Sequence, residues 1–124
     1  MKRMTLALST AALLLIPFSA GVAQNAPPTF QGDPSVYKVI FEDQNFRVIS
    51  ATWKKGTHDK PHSHPVPSIT YALTDCRLKI HAPDGTTRDI TNKAGTASAV
   101  PTTPSHTAEN VGPSDCQVIF VEKK

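Results

Sequence analysis

The chain has 124 residues, the length of a single domain, and a formal net charge of +3. Much of that basicity sits at the very start. Without residues 1–23, which hold Lys2 and Arg3 and no acidic residue, 11 Lys+Arg stand against 10 Asp+Glu, a charge of +1. No basic stripe remains, which excludes a nucleic-acid binder, and about a hundred residues bury one modest core of marginal stability.

Lys2 and Arg3 precede the apolar run MTLALSTAALLLIPFSAGVA. Pro17 and Gly21 interrupt it, and it is too short for a membrane span. Gly21 and Ala23 occupy the −3 and −1 positions of a signal-peptidase site, the layout of a cleaved secretory signal over residues 1–23. The competing reading is an uncleaved N-terminal anchor. No cysteine follows the run, which speaks against a lipid anchor. The mature protein is therefore expected to be periplasmic or secreted, with no stable membrane span once the signal is removed.

Residues 24–35, QNAPPTFQGDPS, are polar and rich in Pro and Gly, and predict an extended arm. From Val36 the texture changes. VYKVIFED and FRVISATW, separated by Gln44 and Asn45, are rich in β-branched and aromatic residues and form a hairpin signal. KKGTHDKPHSHPVP reads as a loop stiffened by prolines. SITYALTD and CRLKIHA are further strands, and in the second Cys76, Leu78 and Ile80 alternate with Arg77, Lys79 and His81, giving one buried and one wet face. PDG turns, TTRDIT is a short strand, NKAG turns again, and TASAVP, SHTAENV and CQVIFVEKK complete the count. No helical period is sustained, and strands recur every eight to twelve residues, which predicts an all-β sandwich or barrel over residues 36–124. Cys76 and Cys116 are the only cysteines. In an exported chain an even pair reads as a disulfide, which would contribute about 4 kcal/mol by loop closure. The alternative is two free thiols, one of them a soft ligand near the histidines.

His62 and His64 are two residues apart, a spacing that on a strand points both imidazoles to one side with Cα atoms about 6.6 Å apart. Such a pair is half of a metal site and needs a third ligand from elsewhere; alone it equally describes a solvated loop. The segment from Gly56 resembles the first motif of the cupin superfamily, G-x5-H-x-H-x3-E-x6-G, with His62 and His64 in place, Ser68 at the glutamate position and Asp75 at the final glycine position. The second motif, G-x5-P-x-G-x2-H-x3-N, is matched from Gly95 through Pro101, Thr103 at the inner glycine, His106 and Asn110. The resemblance implies a cupin-type double-stranded β-helix, a jelly-roll barrel, with one divalent transition metal inside, bound by His62, His64 and His106. Imidazole suits Fe, Zn, Cu and Ni, and Mn is not separable from them. Some thiol and diketone dioxygenases of the superfamily hold iron with three histidines in this way. With Ser68 in place of the carboxylate, the resemblance implies a three-histidine site with open positions and an uncompensated charge that favours anionic ligands.

Ser68 is a candidate pocket residue that lines the site or holds a water. His58, in the approach loop, and Tyr71 are further candidates for the pocket or for support behind the ligands. The bland reading makes His58 an exposed residue, His81 a surface residue, Trp53 and Tyr71 core packing, and Arg47 a solvated charge. Asn110 is expected to fix a turn. Glu109 points away from His106 by alternation and is not the missing carboxylate. Functionally the residues suggest an exported metal-binding cupin acting on a small organic molecule, by dioxygenation or metal-assisted proton transfer. The competing readings are a non-catalytic periplasmic binding module and a metal-free interaction domain. The strand VYKVIFED is a candidate edge for a homodimer.

Overall fold

The computed structural model describes residues 25–124; the expected signal sequence of residues 1–23 lies outside them. Among the described residues nine strands follow one short helix: α1 (Thr29–Gly32), β1 (Tyr37–Glu42), β2 (Phe46–Trp53), β3 (His62–His64), β4 (Ser68–Ala72), β5 (Cys76–His81), β6 (Thr87–Asn92), β7 (Ala97–Val100), β8 (Thr103–Asn110) and β9 (Cys116–Lys123). They form a five-stranded sheet, β1-β2-β9-β4-β7, and a four-stranded sheet, β3-β8-β5-β6. All strand pairings are antiparallel. The expected jelly-roll barrel is what the chain adopts.

Alternation decides what enters the core. β2 turns Ile49, Ala51 and Trp53 inward, β9 turns Cys116, Val118 and Phe120, and β5 turns Cys76, Leu78 and Ile80. Each fully buried aliphatic side chain contributes about 1.5–3 kcal/mol by leaving water. β8 follows the same rule but places His106 and Asn110 inward beside Ala108. The disulfide forms between Cys76 and Cys116, with Cα atoms 5.0 Å apart. It ties β5 of one sheet to β9 of the other across 40 residues, a closure that contributes about 4 kcal/mol in the chain-entropy picture. Both sulfurs are thereby consumed, so the free-thiol alternative and its soft ligand fall away.

Two expectations are corrected. The arm is not extended throughout: residues 29–32 make one helical turn, with the Gln31 and Gly32 N–H groups both donating to the Pro28 carbonyl. Tertiary contacts hold it there. The Ser63 N–H donates to the Pro27 carbonyl, and the Ala26 N–H donates to the Pro104 carbonyl. Gly32 lies so close to β3 that an added Cβ would meet the Pro61 carbonyl oxygen at 2.9 Å. The second correction is β3 itself, which arises inside the expected loop. Its ladder comes from β8, with His62 opposite His106 and His64 opposite Thr103. Asp75 and Thr103, at the two substituted glycine positions, leave the turns intact. Among the described residues no non-glycine residue has positive φ, and Asp75 accepts hydrogen bonds from the Ala94 N–H and the Lys93 ammonium.

Candidate metal centre

β3 and β8 lie side by side and present His62, His64 and His106 to the interior. The ring centroids are 5.4 Å apart for His62 and His64, 4.6 Å for His62 and His106, and 5.0 Å for His64 and His106. One nitrogen from each ring lies within 4.8 Å of the other two. All three side chains are buried. Burial, and then the neighbouring His62, push His64 down to about 4. Burial, followed by His62, His64 and Arg88, pushes His106 down to about 3. These two rings are therefore neutral at physiological pH, with lone pairs available for coordination.

A network that carries no spacing signal in the sequence sets the orientation of His62. Its Nδ1–H donates to the Lys60 carbonyl at 2.9 Å, which leaves the lone pair on Nε2. The Tyr37 hydroxyl lies 3.1 Å from that Nε2 and donates to Asp59 Oδ2 at 2.7 Å. Burial, reinforced by Asp59, raises the Tyr37 phenol well above its ordinary range, so it stays a neutral donor. Asp59 Oδ2 also accepts from Trp53 Nε1–H at 2.8 Å, and Oδ1 accepts from the Ala108 N–H at 2.6 Å. Trp53 packs edge-on against Tyr37, with centroids 5.3 Å apart. A buried carboxylate thus ties β1, β2 and β8 together behind the first histidine. Neither Tyr37 nor Asp59 was singled out by the sequence.

The donor set fits a divalent transition metal. It consists of three imidazole nitrogens, at least two of the rings neutral, with ring orientation set by a backbone carbonyl. His64 Nδ1 and Ser68 Oγ are buried atoms without a hydrogen-bond partner, as expected of groups placed to face a ligand or water. Ser68 does lie inside the barrel. The nearest carboxylate by register, Glu122, sits directly across from it on β9 but is outside the three-histidine group. Glu122 instead accepts from Arg47 Nη1 at 3.4 Å, and burial raises its pKa.

Beside the histidines lies a cavity of about 370 Å³ between the two sheets. Leu78, Ile90, Val100, Val118 and Phe120 make it largely apolar, His64 and His106 border it, and Arg88 supplies its one formal cation. Several expected placements are not met. Tyr71 projects from the opposite face of β4, 45% exposed, and neither lines the cavity nor packs in the core, because it alternates with the inward Thr70 and Ala72. His58 faces outward, where its ring stacks on His81, and does not stand behind the triad. Arg47 is not a free solvated charge, since it pairs with Glu42 and Glu122 and lies over the Phe30 ring. Asn110 does hold a turn: its side chain donates to the Trp53 and Ser114 carbonyls and accepts from the Gly112 N–H.

No protein-family model and no curated protein sequence matches the chain. Solved structures do. A cupin domain from Bordetella pertussis Tohama I superposes with a TM-score of 0.65 at 15% identity, covering 84% of this chain and 99% of that one. An RmlC-like cupin with a double-stranded β-helix fold from Methanocaldococcus jannaschii gives 0.57 at 11% identity, over 71% and 78% of the two chains. An oxalate decarboxylase gives 0.54 at 23% identity, over 72% of this chain and 26% of its own. The two facing antiparallel sheets, the register that sets His62 against His106, and these superpositions agree on one architecture: the chain has the cupin fold, a double-stranded β-helix with three histidines positioned inside it to bind a metal.

Proposed function

We propose that the protein is an exported cupin that holds one divalent transition metal through His62, His64 and His106 and acts on a small anionic organic molecule. The observation that carries this reading is the convergence of three buried rings, two of which, His64 and His106, border an apolar cavity that Arg88 also lines. A metal bound there would polarise a substrate oxygen or activate dioxygen. The chain's own residues do the rest. Arg88 binds the substrate's carboxylate or enolate, the aliphatic walls exclude water, and Asp59 with Tyr37 keeps His62 in position. Export is supported by the inter-sheet disulfide, which suits an oxidising compartment. Among the described residues no helix is long and apolar enough to cross a membrane.

Oxygen uptake with a panel of small thiols, diketones, phenols and carboxylates tests the enzymatic form. Metal-dependent turnover is expected, and Arg88→Ala should raise KM for an anionic substrate about 10–100-fold, the worth of one charge-assisted hydrogen bond. Binding without turnover across the panel would favour the alternative, a non-catalytic metal- or ligand-binding module. That reading draws support from the lack of any carboxylate in the three-histidine group. A homodimer belongs to the same proposal. β1 is the outer strand of the five-stranded sheet, with Ile40 58% and Phe41 53% exposed, and can pair with a second copy. Sedimentation that returned only monomer up to high concentration would remove it.

A further inference from the structure

β8 presents ligands on both of its faces. His106 points inward, whereas Thr107 and Glu109 point outward. On that outer side His58, His81 and Glu109 come together, each offering a ligand atom within 4.8 Å of the others. They arrive from three neighbouring segments. His81 of β5 stands opposite Thr107, and His58 forms an antiparallel bridge with Glu109. The imidazoles stack at 4.7 Å between centroids, His81 Nε2 lies 3.0 Å from Glu109 Oε2, and His58 Nε2 lies 2.7 Å from Thr107 Oγ1.

We propose that His58, His81 and Glu109 form a second, outward-facing metal site that takes a zinc-class divalent ion, separate from the three-histidine centre. Two imidazoles and one carboxylate are a donor set suited to such ions, and Glu109 offsets part of the ion's charge, which the inner site does not do. The site is built before a metal arrives. The Asn110 N–H donates to the Thr57 carbonyl at 2.9 Å and the Asp59 N–H donates to the Ala108 carbonyl at 2.9 Å, so the segment carrying His58 is laced to β8 on both sides. Lys79, which faces Glu109 across the ladder, is bonded to Asp89 at 2.9 Å instead, so no lysine occupies the carboxylate. All three side chains are at least partly exposed, which leaves room for water or an incoming group in the remaining positions. A metal here replaces the His81–Glu109 hydrogen bond and fastens residue 58 to β5 and β8, next to the Asp59 that supports His62.

Calorimetric titration of tag-free protein with zinc alone tests the site. The number of zinc equivalents bound by the unaltered chain should fall by one in His81→Asn, and again by one when Glu109→Gln is used instead. Near-unchanged melting temperatures without metal would show that both variants fold. The comparison depends only on the difference between chains, so it holds whatever the inner site binds. Equal stoichiometry and equal affinity in the unaltered chain and both variants would overturn the proposal.

Discussion

Asp59→Ala should lower the stability of the protein by about 3–5 kcal/mol, because it leaves three buried donors without an acceptor. The Tyr37 hydroxyl, Trp53 Nε1–H and Ala108 N–H all converge on this one carboxylate. Each hydrogen bond to a charged acceptor is worth about 1.5–3 kcal/mol, and orphaned donors cost their desolvation in full, though the three do not add independently. A domain of this size has only about 5–15 kcal/mol in total, so the variant stands near the edge of folding. Asp59→Asn should fall between. Its single carbonyl oxygen can keep Tyr37 and Trp53, but then its amide meets the Ala108 N–H, donor against donor. Urea unfolding of the three chains measures this. A midpoint for Asp59→Ala corresponding to a loss under about 1 kcal/mol would show that the carboxylate is not the anchor described here.

His106→Ala should empty the inner site. It leaves two imidazoles from one short strand, and loss of a direct ligand should exceed the about 10–100-fold that changes to supporting residues cost in metal affinity. Metal content is best compared in chains that also carry His81→Asn, so that the outer cluster adds nothing. The protonation of the rings gives the same prediction a pH dependence. Ordinary imidazoles begin to lose metal to protons near 6.5, whereas His64 and His106 resist protonation down to about 4 and about 3. The His64 and His106 nitrogens should therefore stay unprotonated at pH 5 and become protonated as pH approaches 3, which NMR titration of the two rings in the metal-free protein measures. The metal-free fold responds with a definite sign. Between about 6.5 and those lower values the unfolded chain holds more protons on these residues than the folded one does. The stability from keeping them neutral is thus complete above the unfolded value and is lost as pH falls through the window. Protonation of either ring near pH 6 would contradict the buried, neutral geometry of His64 and His106.

The strands and the inner histidines were legible in the sequence because both depend on short-range spacing. Alternation in CRLKIH marks the inward face of β5 residue by residue, and two histidines at i and i+2 announce their common direction. β3 was not legible, since three residues between prolines have no propensity of their own and become a strand only when β8 supplies the ladder. The turn at Thr29–Gly32 is too short to show a helical period and is held by contacts with β3 and β8. Tyr37 and Asp59 are 22 residues apart, and a tyrosine in a strand and an aspartate in a loop give no warning that they will be hydrogen-bonded. Tyr71 shows the opposite error. Its neighbourhood beside the first motif suggested a wall, but one step of the pleat puts it outside.

The two-sided use of β8 constrains how this protein can change over generations. A one-residue insertion or deletion within Thr103–Asn110 would swing His106 to the solvent side and draw Thr107 inward in the same stroke. It would also dissolve the outer trio, since Glu109 would turn toward the interior. Length variation in any descendant line should therefore gather in the segments on either side, such as 111–115, and spare these eight residues.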